Sequence, residues 1–274
     1  MSNELVAPRR SGKSLDGKLL SGAMAAWLRA ASAFAAVLLI WWAATAAQIY
    51  PSVLLPSPVV VWQALVDLTR SGLLADYALN TVINLGVGFV ISLVLATAIG
   101  IPIGLNRTVA EFLYPLIGFL QSIPGIAWIP LALIWFGFGS SAIIFVIVTG
   151  IFFTLIFNVI GGVRQSDPVF QQAALTLGAN KYQLLRDVVL PSAMPSFITG
   201  IIIGVGNGFR SAVAAEMIGG TGGLGYMISN ARTYLHTDQV IGGMIVIGLL
   251  WVAIDVIVMT PLQRMTVVRW GTIH

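Results

Sequence analysis

Apolar residues run along this chain in blocks as long as a bilayer is thick, separated by short polar segments. A helix needs about 20 apolar residues to cross a hydrocarbon core of roughly 30 Å. Six stretches reach that length, 30–49, 77–105, 112–136, 142–163, 196–215 and 240–261. They predict an all-α polytopic membrane protein with six transmembrane helices. The first stretch ends in Ala44-Thr45-Ala46, which also fits a cleaved signal peptide. The basic region before it is long for a signal, however, and Trp41 and Trp42 suit a retained span.

The spacers carry patterns of their own. Behind Pro51, Pro56 and Pro58, residues 59–68 alternate at near-helical spacing and predict a short helix. Segment 216–239 contains Gly219, Gly220, Gly222, Gly223 and Gly225, a backbone free to take positive φ, and predicts a loop or gate rather than a helix. Between the fourth and fifth spans lies a polar insert, about 164–191. It predicts two short helices, 171–177 and 181–189, joined by Gly178-Ala179-Asn180, with Gly178 ending the first in the left-handed region. Ala173 and Ala174 are small enough to let another surface approach this helix, and Pro191 marks the entry to the fifth span.

Composition narrows the class. The chain is 58% hydrophobic and 9% charged, against about a quarter charged in soluble domains. It has no cysteine, which excludes thiolate metal sites, disulfides and cysteine nucleophiles. The net charge of +4 does not describe a nucleic-acid surface, because the basic residues sort by side of the membrane. With the N-terminus inside, Arg9, Arg10, Lys13, Lys18, Arg29, Arg107, Arg164, Lys181, Arg186, Arg264 and Arg269 all fall on the cytoplasmic side, while Arg70 and Arg232 fall outside. Both termini and the insert are therefore expected in the cytoplasm. The resulting plan is a tail at 1–29, a first span and periplasmic loop at 30–76, a transmembrane core at 77–263 and a tail at 264–274.

Catalysis finds no constellation. His236 and His274 make no metal pair, and no catalytic or metal-ligating set is expected. Gly220, Gly222 and Gly225 fit a dinucleotide fingerprint as a string, but they follow a span rather than a strand. Gly12-Lys13-Ser14 resembles the end of a phosphate loop, yet Ala7 stands where its first glycine belongs. No cofactor is expected in this chain, and it is not read as an enzyme.

The clear charges within spans are Arg210 and Asp255, near opposite faces by helical rise and so poorly placed to pair. A cation at membrane depth costs a few kcal/mol and usually faces a bundle interior or water. The planar fork of Arg210 suits the oxygens of nitrate, carboxylate or sulfonate. The alternatives are an ion pair with Glu216 of a second copy and snorkelling to the outer interface. On the same helix Glu216 lies about 120° around from Arg210, and Asn207, also on that helix, is expected to line the pathway. Asn80, Asn84 and Asn158 read as interhelical hydrogen bonders. Gly200, Gly204 and Gly208, like Gly100 and Gly104, form small-residue stripes for close helix contact.

The insert's spacing, Gln172-Ala173-Ala174, then Gly178, Val188, Leu190 and Pro191, resembles the coupling loop of type I ABC-importer permeases, with Gln172 in place of the family's Glu and Val188 in place of Ile. The likeness extends over about 79–263. Ile123-Pro124-Gly125 through Trp128, Pro130 and Gly139, together with Ala212 to Met217 and Gly223 to Ile228, resembles the nitrate, sulfonate and taurine branch. The resemblance implies the type I permease fold in a bacterial inner membrane. It also implies a homodimeric permease pair, two ABC ATPase subunits that bind ATP and Mg, and a periplasmic or lipid-anchored binding protein. It assigns ATPase coupling to Gln172, Ala173, Ala174, Gly178, Ala179, Leu190 and Pro191. The substrate pathway is expected to involve Arg210, Asn207, Glu216, Gln121, Ser122, Pro124 and Trp128, with a simple helix kink as the other reading of Pro124. A passive anion channel or a non-transporting scaffold is the competing class.

Overall fold

The computed structural model describes residues 13–264, and the chain parts into two units after Val61. Ala7, Arg9, Arg10, Gly12, Arg269 and His274 lie outside the described residues. In the first unit, α1 (Lys13–Ala46) includes a shorter apolar stretch, Ala31–Ala46. The segment after it folds back so that Trp41 Nε1–H donates to the Pro56 carbonyl at 3.1 Å. The predicted short helix is α2 (Pro58–Arg70).

Four helices of the second unit are long and apolar enough to span: α3 (Leu73–Leu105), α6 (Ser140–Arg164), α9 (Leu190–Gly219) and α11 (Thr237–Ile254), which continues to Arg264 through a π-turn. The predicted span at 112–136 is not one helix. It is α4 (Arg107–Gln121), a 3-10 turn (Gly125–Trp128) and α5 (Ile129–Phe136), bent by 87° at the break. Pro124 lacks the N–H that a continuing helix needs and drives Ile123 away from helical dihedrals. With this bent pair counted as one broken span, the described residues hold up to five helices long and apolar enough to cross, and the remaining expected stretch, 30–49, falls on α1, where Ala31–Ala46 is shorter.

α6 is the axis of the unit, with Val146, Ile147, Ile151, Leu155 and Ile160 fully buried. Both glycine stripes close on it. A Cβ on Gly88 or Gly104 of α3 would meet Ile147 or Val163 at 2.4 and 2.7 Å, and one on Gly208 of α9 would meet Ile151 at 2.4 Å. These backbones approach closer than any side chain allows, which is how helices associate where lipid removes the hydrophobic drive.

The segment 216–239 departs from its predicted loop. Residues to Gly219 complete α9, and after the break at Gly220–Gly223 a helix, α10 (Leu224–Thr233), precedes α11. The sequence signal for α10 is Leu224, Met227, Ile228 and Ala231, an apolar i, i+3, i+4, i+7 stripe that the surrounding glycines mask. Leu224, Met227 and Ile228 of that stripe pack with Leu68 of α2 and with Val240 and Val246 of α11 in a second small core.

Candidate functional site

A cavity of about 390 Å³ opens between α6, α9 and the break that joins α4 to α5. The break supplies Gln121, Ile123, Pro124 and Gly125, α6 supplies Thr149, Gly150, Phe153 and Thr154, and α9 supplies Asn207, Arg210, Ser211 and Ala214. On α9 these four positions share one face by helical spacing. Asn207 Nδ2–H donates to Thr154 Oγ1 at 3.2 Å, and Arg210 Nη1–H donates to Asn207 Oδ1 at 3.3 Å. The Thr154 hydroxyl thus orients the amide that holds the guanidinium. Ser211 fills the floor: a Cβ on Gly125 or Gly150 would stand 2.4 or 2.7 Å from its Oγ.

Among the described residues no carboxylate lies within ion-pair distance of Arg210, and its side chain is exposed. An exposed guanidinium with a single amide contact keeps most of its five N–H donors free for an oxyanion.

The predicted pathway residues divide. Arg210, Asn207, Gln121 and Pro124 meet at the cavity. Trp128 stands behind it, its ring 6.4 Å from Phe153 and 6.3 Å from Phe145. The Ser122 hydroxyl is spent on the Gly118 carbonyl at 2.9 Å. Glu216 does not line the cavity. It is buried against α3 and α10, where its Oε2 accepts from Thr81 Oγ1 and from the Gly225 N–H, each at 3.0 Å. Thr149, Thr154 and Ser211 were not foreseen, although Thr154 and Gly150 are one helical turn apart on α6 and Ser211 is one turn from Asn207.

At the other end of α9 lies the insert. α7 (Pro168–Thr176) starts where Asp167 Oδ1 accepts the Val169 N–H at 2.8 Å. It stops at Gly178, whose φ is +87°, and the Ala179 N–H returns to the Ala174 carbonyl at 3.0 Å. α8 (Lys181–Gln183) begins with a reciprocal cap between Asn180 and Gln183 and runs on through a π-turn, Leu184–Val189. Gln172, Ala173 and Gly178 are exposed, and beside them Val169, Phe170, Leu177 and Tyr182 present apolar surface. Ala174 and Ala179 are half-buried, as are Leu190 and Pro191 in the first turn of α9.

Residues 88–264 match the family of binding-protein-dependent transport system inner membrane components. A chain described as an ABC transporter permease protein in Methanocaldococcus jannaschii is 36% identical over 225 residues, covering 80% of this chain and 84% of that one. The taurine transport system permease TauC of Escherichia coli is 33% identical, with 79% of this chain and 80% of TauC covered. The bicarbonate transport system permease CmpB of Synechococcus elongatus is 32% identical over 71% of this chain and 65% of its own. Among solved structures, the MetNI methionine ABC transporter in an inward-facing conformation superposes with a TM-score of 0.50 at 20% identity, covering 66% of this chain and 94% of that one. This last likeness concerns the fold.

Proposed function

Since this chain belongs to the family of binding-protein-dependent transport system inner membrane components, we propose that it is the permease of an ATP-driven importer for a small anion in a bacterial inner membrane. Two copies would form the pathway. Two separate ATPase subunits, carrying ATP and Mg, would dock on the insert, and a periplasmic or lipid-anchored binding protein would deliver the cargo. The observation that carries the anion reading is Arg210, a guanidinium with no carboxylate partner among the described residues, in an open cavity lined by apolar helices. Such a charge is retained at membrane depth where it serves a path or a partner. The cargoes named for TauC and CmpB, taurine and bicarbonate, each carry an oxyanion.

The coupling reading rests on the exposed apolar face of α7. On the cytoplasmic side, where positive-inside sorting sets it, Phe170 and Leu177 would face water unless a partner covered them. Closure of the ATPase pair would move α7 and, through the π-turn, the start of α9, the helix that carries Asn207 and Arg210.

Uptake of labelled taurine, an alkylsulfonate and bicarbonate into cells expressing the full transporter tests this assignment. Arg210→Gln removes the charge and should lower uptake about tenfold or more, while Arg210→Lys keeps the charge without the fork and should retain an intermediate rate. Undiminished uptake by a well-expressed Arg210→Gln variant excludes the anion role. Uptake that persists without the ATPase subunits makes the chain a passive channel.

A further inference from the structure

The start of α10 has an unusual cap. Its N-cap position is Gly223, which has no side chain to satisfy the first free N–H groups of the helix. Two of those groups are satisfied from elsewhere in the chain. The Leu224 N–H donates to Thr81 Oγ1 at 2.9 Å, and the Gly225 N–H donates to Glu216 Oε2 at 3.0 Å. Thr81 lies on α3 and Glu216 on α9, and both are completely buried. The Thr81 hydroxyl has one proton. It goes to Glu216 Oε2 at 3.0 Å in preference to the Tyr77 carbonyl at 3.3 Å, because the carboxyl is the closer and stronger acceptor.

Two further observations point the same way. Gly223, at φ +98°, lies so close to the carboxyl that a Cβ there would stand 2.3 Å from Glu216 Cδ. The second oxygen, Oε1, is buried without a hydrogen bond of ordinary geometry, although Asn84, one turn along α3 from Thr81, approaches the same carboxyl. A carboxyl packed this tightly, with one oxygen left over, is held by its surroundings rather than folded around for its own sake.

We propose that Glu216 is a positioning residue that, with Thr81, caps α10 from outside, so that the first turn of α10 is ordered only while α3 and α9 stay packed as they are here. A side-chain cap within the same segment moves with its helix. A cap contributed by two other helices reports whether those helices are together. The start of α10, and with it the small core that α10 shares with α2 and α11, is thereby tied to the packing of the helix that carries Arg210. This rests on the transport reading only where it speaks of coupling to nucleotide.

The test uses the full permease assembled with its ATPase subunits in lipid nanodiscs, and the first readout is amide hydrogen exchange. Thr81→Val, nearly isosteric, removes both hydroxyl bonds. It should speed exchange at Leu224 and Gly225 about tenfold or more while leaving the buried centre of α6 unchanged. Thr81→Ser restores the hydroxyl and should restore protection. Unchanged exchange in Thr81→Val overturns the proposal, and this arm needs no cargo and no assumption about transport. The second readout is labelling of Thr221→Cys by an impermeant thiol reagent, with and without a non-hydrolysable ATP analogue. The labelling rate should depend on nucleotide in the parent and lose that dependence when Thr81→Val is added. Thr81→Ser should regain it, whereas a role limited to stability would leave the dependence intact in the assembled fraction. Nucleotide dependence that survives Thr81→Val overturns the coupling to α3 and α9, whatever uptake shows.

Discussion

The two segments that interrupt the apolar helices, 165–189 and 220–236, are built from the same parts and finished in opposite ways. Each holds a glycine of positive φ, Gly178 at +87° and Gly223 at +98°, and each contains a short helix. In the first the apolar side chains on and just after α7 point outward, with Phe170 64% and Leu177 88% exposed, and only at the far end does Val189 turn into the core. In the second those on α10 point inward, with Leu224 at 0%, Met227 at 3% and Ile228 at 6%, and only Tyr234 and Leu235 after the helix are exposed. Burying a large apolar side chain is worth about 1.5–3 kcal/mol. The second segment has collected that stabilisation within the chain, and the first has left it to be collected by something else.

The surroundings of the two glycines differ as sharply. A Cβ on Gly178 would meet nothing within 4 Å, so a substitution there strains the backbone alone, whereas one on Gly223 would also strike a buried carboxyl. The largest effect should therefore come from Gly223→Ala. It should destabilise the permease by about 2–4 kcal/mol, seen as a lowered melting temperature and a reduced yield of folded protein in detergent. If Gly223→Ala and Gly178→Ala melt alike, the contrast between the two segments is wrong.

Next in size is a pair of polar substitutions. Leu224→Ser should lower thermal stability by about 2–3 kcal/mol, while Leu177→Ser should leave melting within about 0.5 kcal/mol of the parent. The same Leu177→Ser should reduce co-purification of the ATPase subunits several-fold. Parent-like recovery of ATPase with Leu177→Ser and Phe170→Ser combined would remove the insert as a docking surface.

Gly178→Val should act more gently on the fold, costing about 1–3 kcal/mol of local strain. Membrane insertion should be normal, with loss confined to ATPase docking and uptake measured in the same cells. Normal uptake at normal expression would sink the coupling role. The smallest difference concerns accessibility. Thr221→Cys, exposed, should react with an impermeant reagent added outside, and Tyr226→Cys, half-buried beside the Tyr77 ring at 6.2 Å, should react more slowly. Reaction of both only from the cytoplasm would invert the topology.

Local features were legible in the sequence. Proline and near-helical spacing announced α2, Gly178 announced the turn between α7 and α8, and the four-residue glycine spacings announced close helix contact, which the structure makes with α6. Two features with long-range causes were not. Apolar length cannot register an 87° bend, so 112–136 reads as one span although Pro124 divides it. Glycine density argues for a loop at 219–225, yet tertiary burial of the Leu224 stripe makes α10. Within the cavity, Arg210 was readable as a charge inside an apolar span and Asn207 as a polar residue on the same helix. Glu216 was not, because its partner Thr81 is 135 residues away in the chain and no local pattern pairs them.

The glycine notches on α3 and α9 receive branched side chains from α6, among them Ile147, Ile151, Val159 and Val163. In a helix such side chains keep essentially one χ1 rotamer, so they cannot swing aside to absorb a displacement. Gripped on two flanks by stiff teeth in shallow slots, α6 has little room to slide past α3 and α9, so a push delivered near Val163, beside the insert, should carry along the helix toward Ile147, beyond the cavity.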